Sequence, residues 1–306
     1  MKKKNNRSLF IILLLIPSCL CLLVFYAYPI AQIALTSFCK WDYTNLANPE
    51  LLPAGELFSN YQYIFGEYPY FREALKNSLS WALVGVCIQV PLTLVVAIVI
   101  SKGLKFSRFA RNVYIVPSVI SSAAMGLIFL QLYHARYGPI QEIINIFNPD
   151  FHDSILLVEG VNFWAIVCAY VFFCGTTAIM LLGQIHGIPG ELYEAAMIDG
   201  AKGWKREWYI TIPLVKPTIK TVTTLAATSG FLLYNEVFFL TAGAAGTKSI
   251  SYIIRELAIT SPRTQYARAN TVGLVQIVIG LVLVAVINWG FTHDQYSLRG
   301  RRKKNG

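Results

Sequence analysis

Charge is what this chain has least of. Only 14% of its 306 residues are Asp, Glu, Lys or Arg, against about 25% in an ordinary soluble domain. That scarcity excludes a disordered chain, a coiled coil and a typical soluble enzyme. Histidine is scarcer still, with four residues. His134 and His152 fall in a loop between spans and His186 and His293 at span ends, so no nucleophile–base pair is placed inside a span, which argues against an intramembrane hydrolase. The six cysteines (Cys19, Cys21, Cys39, Cys87, Cys168, Cys174) show no metal-ligand spacing and lie in or beside apolar runs, where packing is their role. A phosphate loop is also missing. Gly243-Ala-Ala-Gly-Thr-Lys-Ser249 resembles one loosely but lacks the Gly-Lys step. The residues therefore point to no metal, no cofactor and no ATP held by this chain.

What the chain has in excess is apolar sequence, 55% of its residues, with a mean hydropathy of +0.52. Uncharged runs cover Ser8–Cys39, Asn77–Ser101, Asn112–Ala135, Gly160–Gly190 and Ala269–His293. Each is longer than the roughly 20 residues that cross a hydrocarbon core. A further run, Thr221–Ala242, is broken only by Glu236, because Lys216 and Lys220 can snorkel from one end. The reading is an all-α polytopic membrane protein with six spans, near 9–38, 75–101, 110–133, 161–183, 217–242 and 269–289. The first run is too long for the core of a signal peptide and is read as a retained helix, with Pro17 and Pro29 tolerated in lipid.

The formal net charge of +10 does not imply a nucleic-acid partner, since the basic residues sit in short segments beside the apolar runs. Eighteen of the 26 Lys and Arg fall in segments on the N-terminal side of the membrane. The positive-inside rule then places both termini and Glu194 in the cytoplasm, with Asp42 and Asp153 outside. The chain divides into a cytosolic N-terminus (1–8), a transmembrane domain (9–292) that includes a cytosolic loop (184–213), and a basic cytosolic tail (293–306).

That loop carries the sharpest pattern. After Pro189-Gly190, acids Glu191 and Glu194 favour the positive end of a short helix. Leu192, Ala195, Ala196 and Asp199 share one face, small enough for another surface to approach closely. Gly200 lets the backbone leave the helix, and an aromatic stretch (Trp204, Trp208, Tyr209) leads to Ile212-Pro213. A helix too short to be stable alone packs on something; its own membrane domain is one such surface, a partner another.

Glu194-Ala195-Ala196, three residues, Gly200, nine residues, then Ile210-Thr211-Ile212-Pro213 resembles the EAA loop of membrane subunits of binding-protein-dependent ATP-binding cassette (ABC) importers. Only Ile212 departs, standing where Leu is usual. Tyr28-Pro29, Thr36-Ser37-Phe38, Asn60-Tyr61, Asn77-Ser78, Val116-Pro117 and Leu240-Thr241-Ala242-Gly243 are similar to the sugar-importer branch related to the larger maltose-transporter membrane subunit. The resemblance covers roughly residues 10–295.

The resemblance implies a type I importer permease fold in the plasma (inner) membrane, forming half of a translocation path for a carbohydrate-type solute. It implies a second, homologous permease subunit, a cytosolic ABC ATPase dimer that uses the ATP, and an extracytoplasmic solute-binding protein. Glu194, Ala195, Ala196, Asp199, Gly200, Ile210 and Pro213 are the residues it assigns to ATPase coupling. Polar and aromatic residues within the spans are the candidates for the solute path: Phe173, Thr176 and Thr177 in the fourth, and Ser229, Gly230, Tyr234, Asn235 and Glu236 in the fifth. An ionisable Glu236 at such depth favours a bundle interior, a cavity or a partner contact, or else an interfacial position. A stand-alone secondary transporter or channel is the alternative, distinguished by transport without ATP or partners.

Overall fold

The computed structural model describes residues 2–103, 107–149, 151, 153–171, 174–260 and 263–304, and of residues 2–8, 110 and 293–304 the backbone alone. Phe173 and His152 lie outside the described residues.

The chain is helical nearly throughout. Among the described residues, three helices are long and apolar enough to cross a membrane: Leu9–Thr36, Phe71–Ser101 and Tyr266–Thr292. The most apolar stretch of the first is wholly unburied, as a helix facing lipid should be. In water such exposure would be ruinous; among hydrocarbon tails it costs nothing.

Prolines write the local irregularities. Single π turns at Leu23–Ala27, Gly85–Gln89 and Glu207–Thr211 each lie just ahead of a proline (Pro29, Pro91, Pro213) at the start of the next helix. A proline ring crowds the carbonyl four residues back and offers no N–H to it. One extra residue in the preceding turn moves that carbonyl aside without ending the helix.

Three of the expected spans are not single helices. The third, expected over 110–133, turns by 113° between Ser107–Val119 and Ser122–Leu132. Pro117 opens a 3-10 turn there, and the Ser121 side chain caps the next helix by accepting from the Ala124 amide at 3.3 Å. The fourth is divided into Val161–Val171 and Gly175–His186. The fifth, expected to run through residue 242, ends at Phe231, and a separate short helix, Asn235–Leu240, follows. Gly230 near the end of the longer helix weakens its continuation.

The chain forms two compact units, residues 1–71 with 253–278 and residues 72–252 with 279–306. In the first, Cys39–Lys40 pairs antiparallel with Glu50–Leu51. Buried Asn60 donates to the carbonyls of Ser37 and Cys39 at 2.9 Å each, and Asn270 donates to the Thr36 hydroxyl at 2.7 Å. A cavity of about 370 Å³ lined by Lys40, Trp41, Asp42, Asn60, Gln265 and Arg268 opens beside this hairpin.

In the second unit, fully buried Trp81 stacks on Phe163 at 5.7 Å and anchors a core with Phe129, Tyr133, Ile166 and Val237. A neighbouring cluster, Val90, Ala97, Ile98, Leu181, Ile185, Val215 and Val222, binds the helices Phe71–Ser101, Gly175–His186 and Ile212–Phe231 together. Where lipid is as apolar as the core, close approach replaces the hydrophobic effect as the driving force. Gly85 and Gly230 supply it: a Cβ at either would stand 2.6 Å from Ala226 O or 2.5 Å from Trp81 O. The loop that resembled a phosphate loop is turned to its own protein. Asn77 donates to Gly246 O and Lys248 O, Asn162 to Ala245 O and Tyr252 to Ala242 O, at 2.6–3.0 Å.

Candidate functional site

The loop 184–213 builds its site from a short helix, Gly190–Ile198, entered through Pro189 with Glu191 in the first turn. Its exit is a two-bond cap. The Ala201 amide donates to Ala196 O at 2.8 Å and the Gly200 amide to Met197 O at 3.1 Å, with Gly200 at φ +81°. Only a residue without Cβ takes that backbone cheaply. Gly203, at φ +60°, opens the second stretch, Trp204–Arg206, which runs through the π turn directly into Ile212–Phe231.

The small-residue face expected for close approach is divided. Ala196 is buried in its own unit at 7% exposure, whereas Glu194, Ala195 and Asp199 are exposed and Leu192 is 42% exposed. Ala196 thus seats the helix, and Glu194 and Ala195 stay on its exposed side. Ile198, Trp208 and Tyr209 are also well exposed, at 88%, 67% and 69%. Ile210 is half-buried and Pro213 exposed at the root of the following helix.

Glu207 is the residue the sequence reading missed. It lies in a polar loop, yet it is 3% exposed. Its Oε2 accepts from the Thr211 hydroxyl at 2.6 Å, and its Oε1 lies 3.0 Å from Arg206 Nη2 and 3.2 Å from Lys102 Nζ. Thr211 also bonds the Tyr193 hydroxyl at 3.1 Å, and the Arg206 guanidinium lies over the Tyr193 ring. Lys102 lies over the Trp204 ring. Burial alone would raise the Glu207 carboxyl, but hydrogen bonds from Thr211, Arg206 and Lys102 outweigh it and hold the carboxyl below the usual range.

The intramembrane candidates separate. Ser229 shares a hydrogen bond with Tyr170, whose hydroxyl donates to Ala226 O at 2.7 Å. Gly230 is a packing position against Trp81. The Thr177 hydroxyl is satisfied by Cys174 O at 2.7 Å, while Thr176 is exposed. Farther along, Asn235 donates to Ser122 Oγ at 2.6 Å, Tyr234 stacks on Phe238, and Glu236 is 7% exposed in the first turn of Asn235–Leu240. Asn235 and Ser122 thereby join the helix starts on either side of two breaks. Among the described residues no group of three His, Cys, Asp or Glu side chains could hold a metal ion.

Residues 89–293, which take in the loop, its Glu207 cluster and the broken helices, match the family described as binding-protein-dependent transport system inner membrane component. The chain belongs to that family. It is 29% identical to a probable ABC transporter permease protein, YurN, of Bacillus subtilis, over 92% of this chain and 96% of that one. The arabinooligosaccharides transport system permease protein AraP of Bacillus subtilis is 26% identical over 87% of this chain and 83% of its own. The fold is that of a subunit in the crystal structure of a bacterial alginate ABC transporter in complex with alginate pentasaccharide-bound periplasmic protein, with a TM-score of 0.75, 18% identity and coverage of 94% and 96%. This family member is accordingly a multi-pass membrane subunit of a transport system, with an importer permease fold.

Proposed function

We propose that this permease forms half of the translocation path of an ATP-driven importer for a carbohydrate and takes its power stroke from a separate cassette ATPase through the loop 184–213. The carrying observation is the loop itself. A nine-residue helix seated by Ala196 and released at Gly200 presents Glu194 and Ala195 outward, at the positions of the family's docking motif. The sugar class is supported by the arabinooligosaccharide permease, and the binding-protein partner by the alginate transporter's complex.

In this reading the six apolar segments each cross the membrane, the bent pairs as broken spans, and both termini are cytosolic. Breaks in spans leave backbone polar groups where they must be met by protein or by a water-filled cavity. The break before Asn235–Leu240 and the one before Ser122–Leu132 are joined by the Asn235–Ser122 hydrogen bond, and half-buried Tyr234 and Asn235 there offer an aromatic face and an amide to a sugar ring, with Glu236 buried beside them at the border of that path. Thr176, Thr177 and Ser229 are secondary candidates. The cavity of the first unit, on the side read as extracytoplasmic, faces the binding protein.

Purification of the tagged chain from its native membrane tests the reading. A second permease and a cassette ATPase should co-purify with it, and an extracytoplasmic binding protein should stimulate the ATPase in nanodiscs. A chain that purifies alone and carries solute without ATP would be a secondary transporter or channel.

A further inference from the structure

The loop between the helices Gly175–His186 and Ile212–Phe231 contains Gly187, Gly190, Gly200 and Gly203, the last two in left-handed backbone. Such a segment absorbs a push on its middle unless something braces it. At its first root the brace is apolar, Leu181 and Ile185 packed with Ala97 and Ile98 of the helix that ends at Ser101. At the second root it is polar. Glu207 is buried between Thr211, Arg206 and Lys102, and Lys102 is the residue that follows Ser101. Through Thr211 the same cluster reaches Tyr193, on the loop helix itself.

We propose that Glu207 is a positioning residue of the transport cycle: its ion pair with Lys102 fastens the loop to the cytosolic end of the helix Phe71–Ser101, so that displacement of the loop helix moves that helix too. The proposal rests on the reading of the loop as the ATPase-docking element. A carboxylate suits this task better than an apolar contact. Two cations and a hydroxyl converge on it from two different segments, and charge-assisted bonds in a buried site hold direction as well as distance. Both Lys102 and Arg206 keep 27% of their side chains in solvent, so losing Glu207 leaves them hydrated rather than stranded. Variants should therefore lose transmission before they lose assembly.

The experiment uses the whole importer in nanodiscs, with its sister permease and ATPase, and the binding protein purified with the solute it carries. The readout is the ratio of ATPase rates with and without binding protein, with co-purification of all subunits as the measure of assembly. E207Q and K102M should each lower that ratio about tenfold, the scale of a coupling free energy between sites. K102R should keep it, and the double variant E207Q/K102M should be no worse than the worse single one. G200V in parallel tests the underlying reading. A wild-type ratio in E207Q and K102M beside a lost ratio in G200V would overturn the clamp and leave the docking loop standing. A wild-type ratio in all three would overturn both. Should E207Q fail to assemble, K102M decides, because its side chain is partly exposed and its removal leaves Glu207 with Arg206 and Thr211.

Discussion

A Cβ placed on Gly230 would stand 2.5 Å from the backbone carbonyl oxygen of Trp81. At that separation backbone, not a flexible side chain, has to move. Replacing Gly230 by Ala should therefore destabilise the protein by about 1–3 kcal/mol, the usual cost of overpacking. Gly183 is the internal control, since nothing lies within 4 Å of its Cβ position. Gly183→Ala should leave the detergent-solubilised protein as stable or more so, because Ala favours helix by about 1 kcal/mol. Thermal unfolding of both variants checks the sign, and a lower Tm for Gly183→Ala than for Gly230→Ala would contradict the packing.

At Gly200 the backbone is at φ +81°. A β-branched residue there is strained by about 1–3 kcal/mol, whereas Asn visits left-handed backbone more readily. Gly200→Val should insert and pair normally but lose stimulation of the ATPase by the binding protein, and Gly200→Asn should keep most of it. Equal stimulation in both would remove the helix exit from the mechanism.

Glu236→Gln and Asn235→Ala address the solute path. Asn235 donates to Ser122 at the start of another helix that follows a break, and Glu236 is buried beside it. Each variant should change uptake rate or solute preference with the complex still assembled. Unchanged selectivity in both would make these residues structural.

The pH dependence of the Glu207 cluster has a definite sign. The folded carboxyl is held below its ordinary value, so its contribution is fully present above the unfolded pKa of about 4.3 and is lost as pH falls through the folded value. The difference in Tm between the wild type and Glu207→Gln should stay constant from pH 8 to 5 and shrink only below about pH 4. A difference that fades between pH 7 and 5 would mean the carboxyl is not held by these partners.

The apolar runs made the helices legible in the sequence, because crossing a bilayer leaves the chain almost no alternative to helix. Gly200 was legible too, since a glycine after a short acid-led helix has one common use. The breaks were harder. Pro117 and Gly230 were visible, but periodicity counts apolar residues and does not register where a helix stops and restarts within a run, as at 120–121 and 232–234. Spacing put Ala196 on one face with Leu192, Ala195 and Asp199 and left open whether that face meets its own protein or a partner, because spacing cannot tell which residues of a short helix find their own protein; Ala196 does. Glu207 was hidden by company: between Lys205-Arg206 and Trp208 it reads as one more solvated charge. Its one sequence signal was Thr211, four residues on and one helical turn away, with Lys102 more than a hundred residues distant in the chain.

The most direct test of the account is solute uptake by the reconstituted importer in proteoliposomes, with ATP inside and the loaded binding protein outside. Uptake should require both, and Gly200→Val should abolish it without dispersing the complex. Uptake by this chain with neither ATP nor binding protein, at the rate seen with them, would contradict the account.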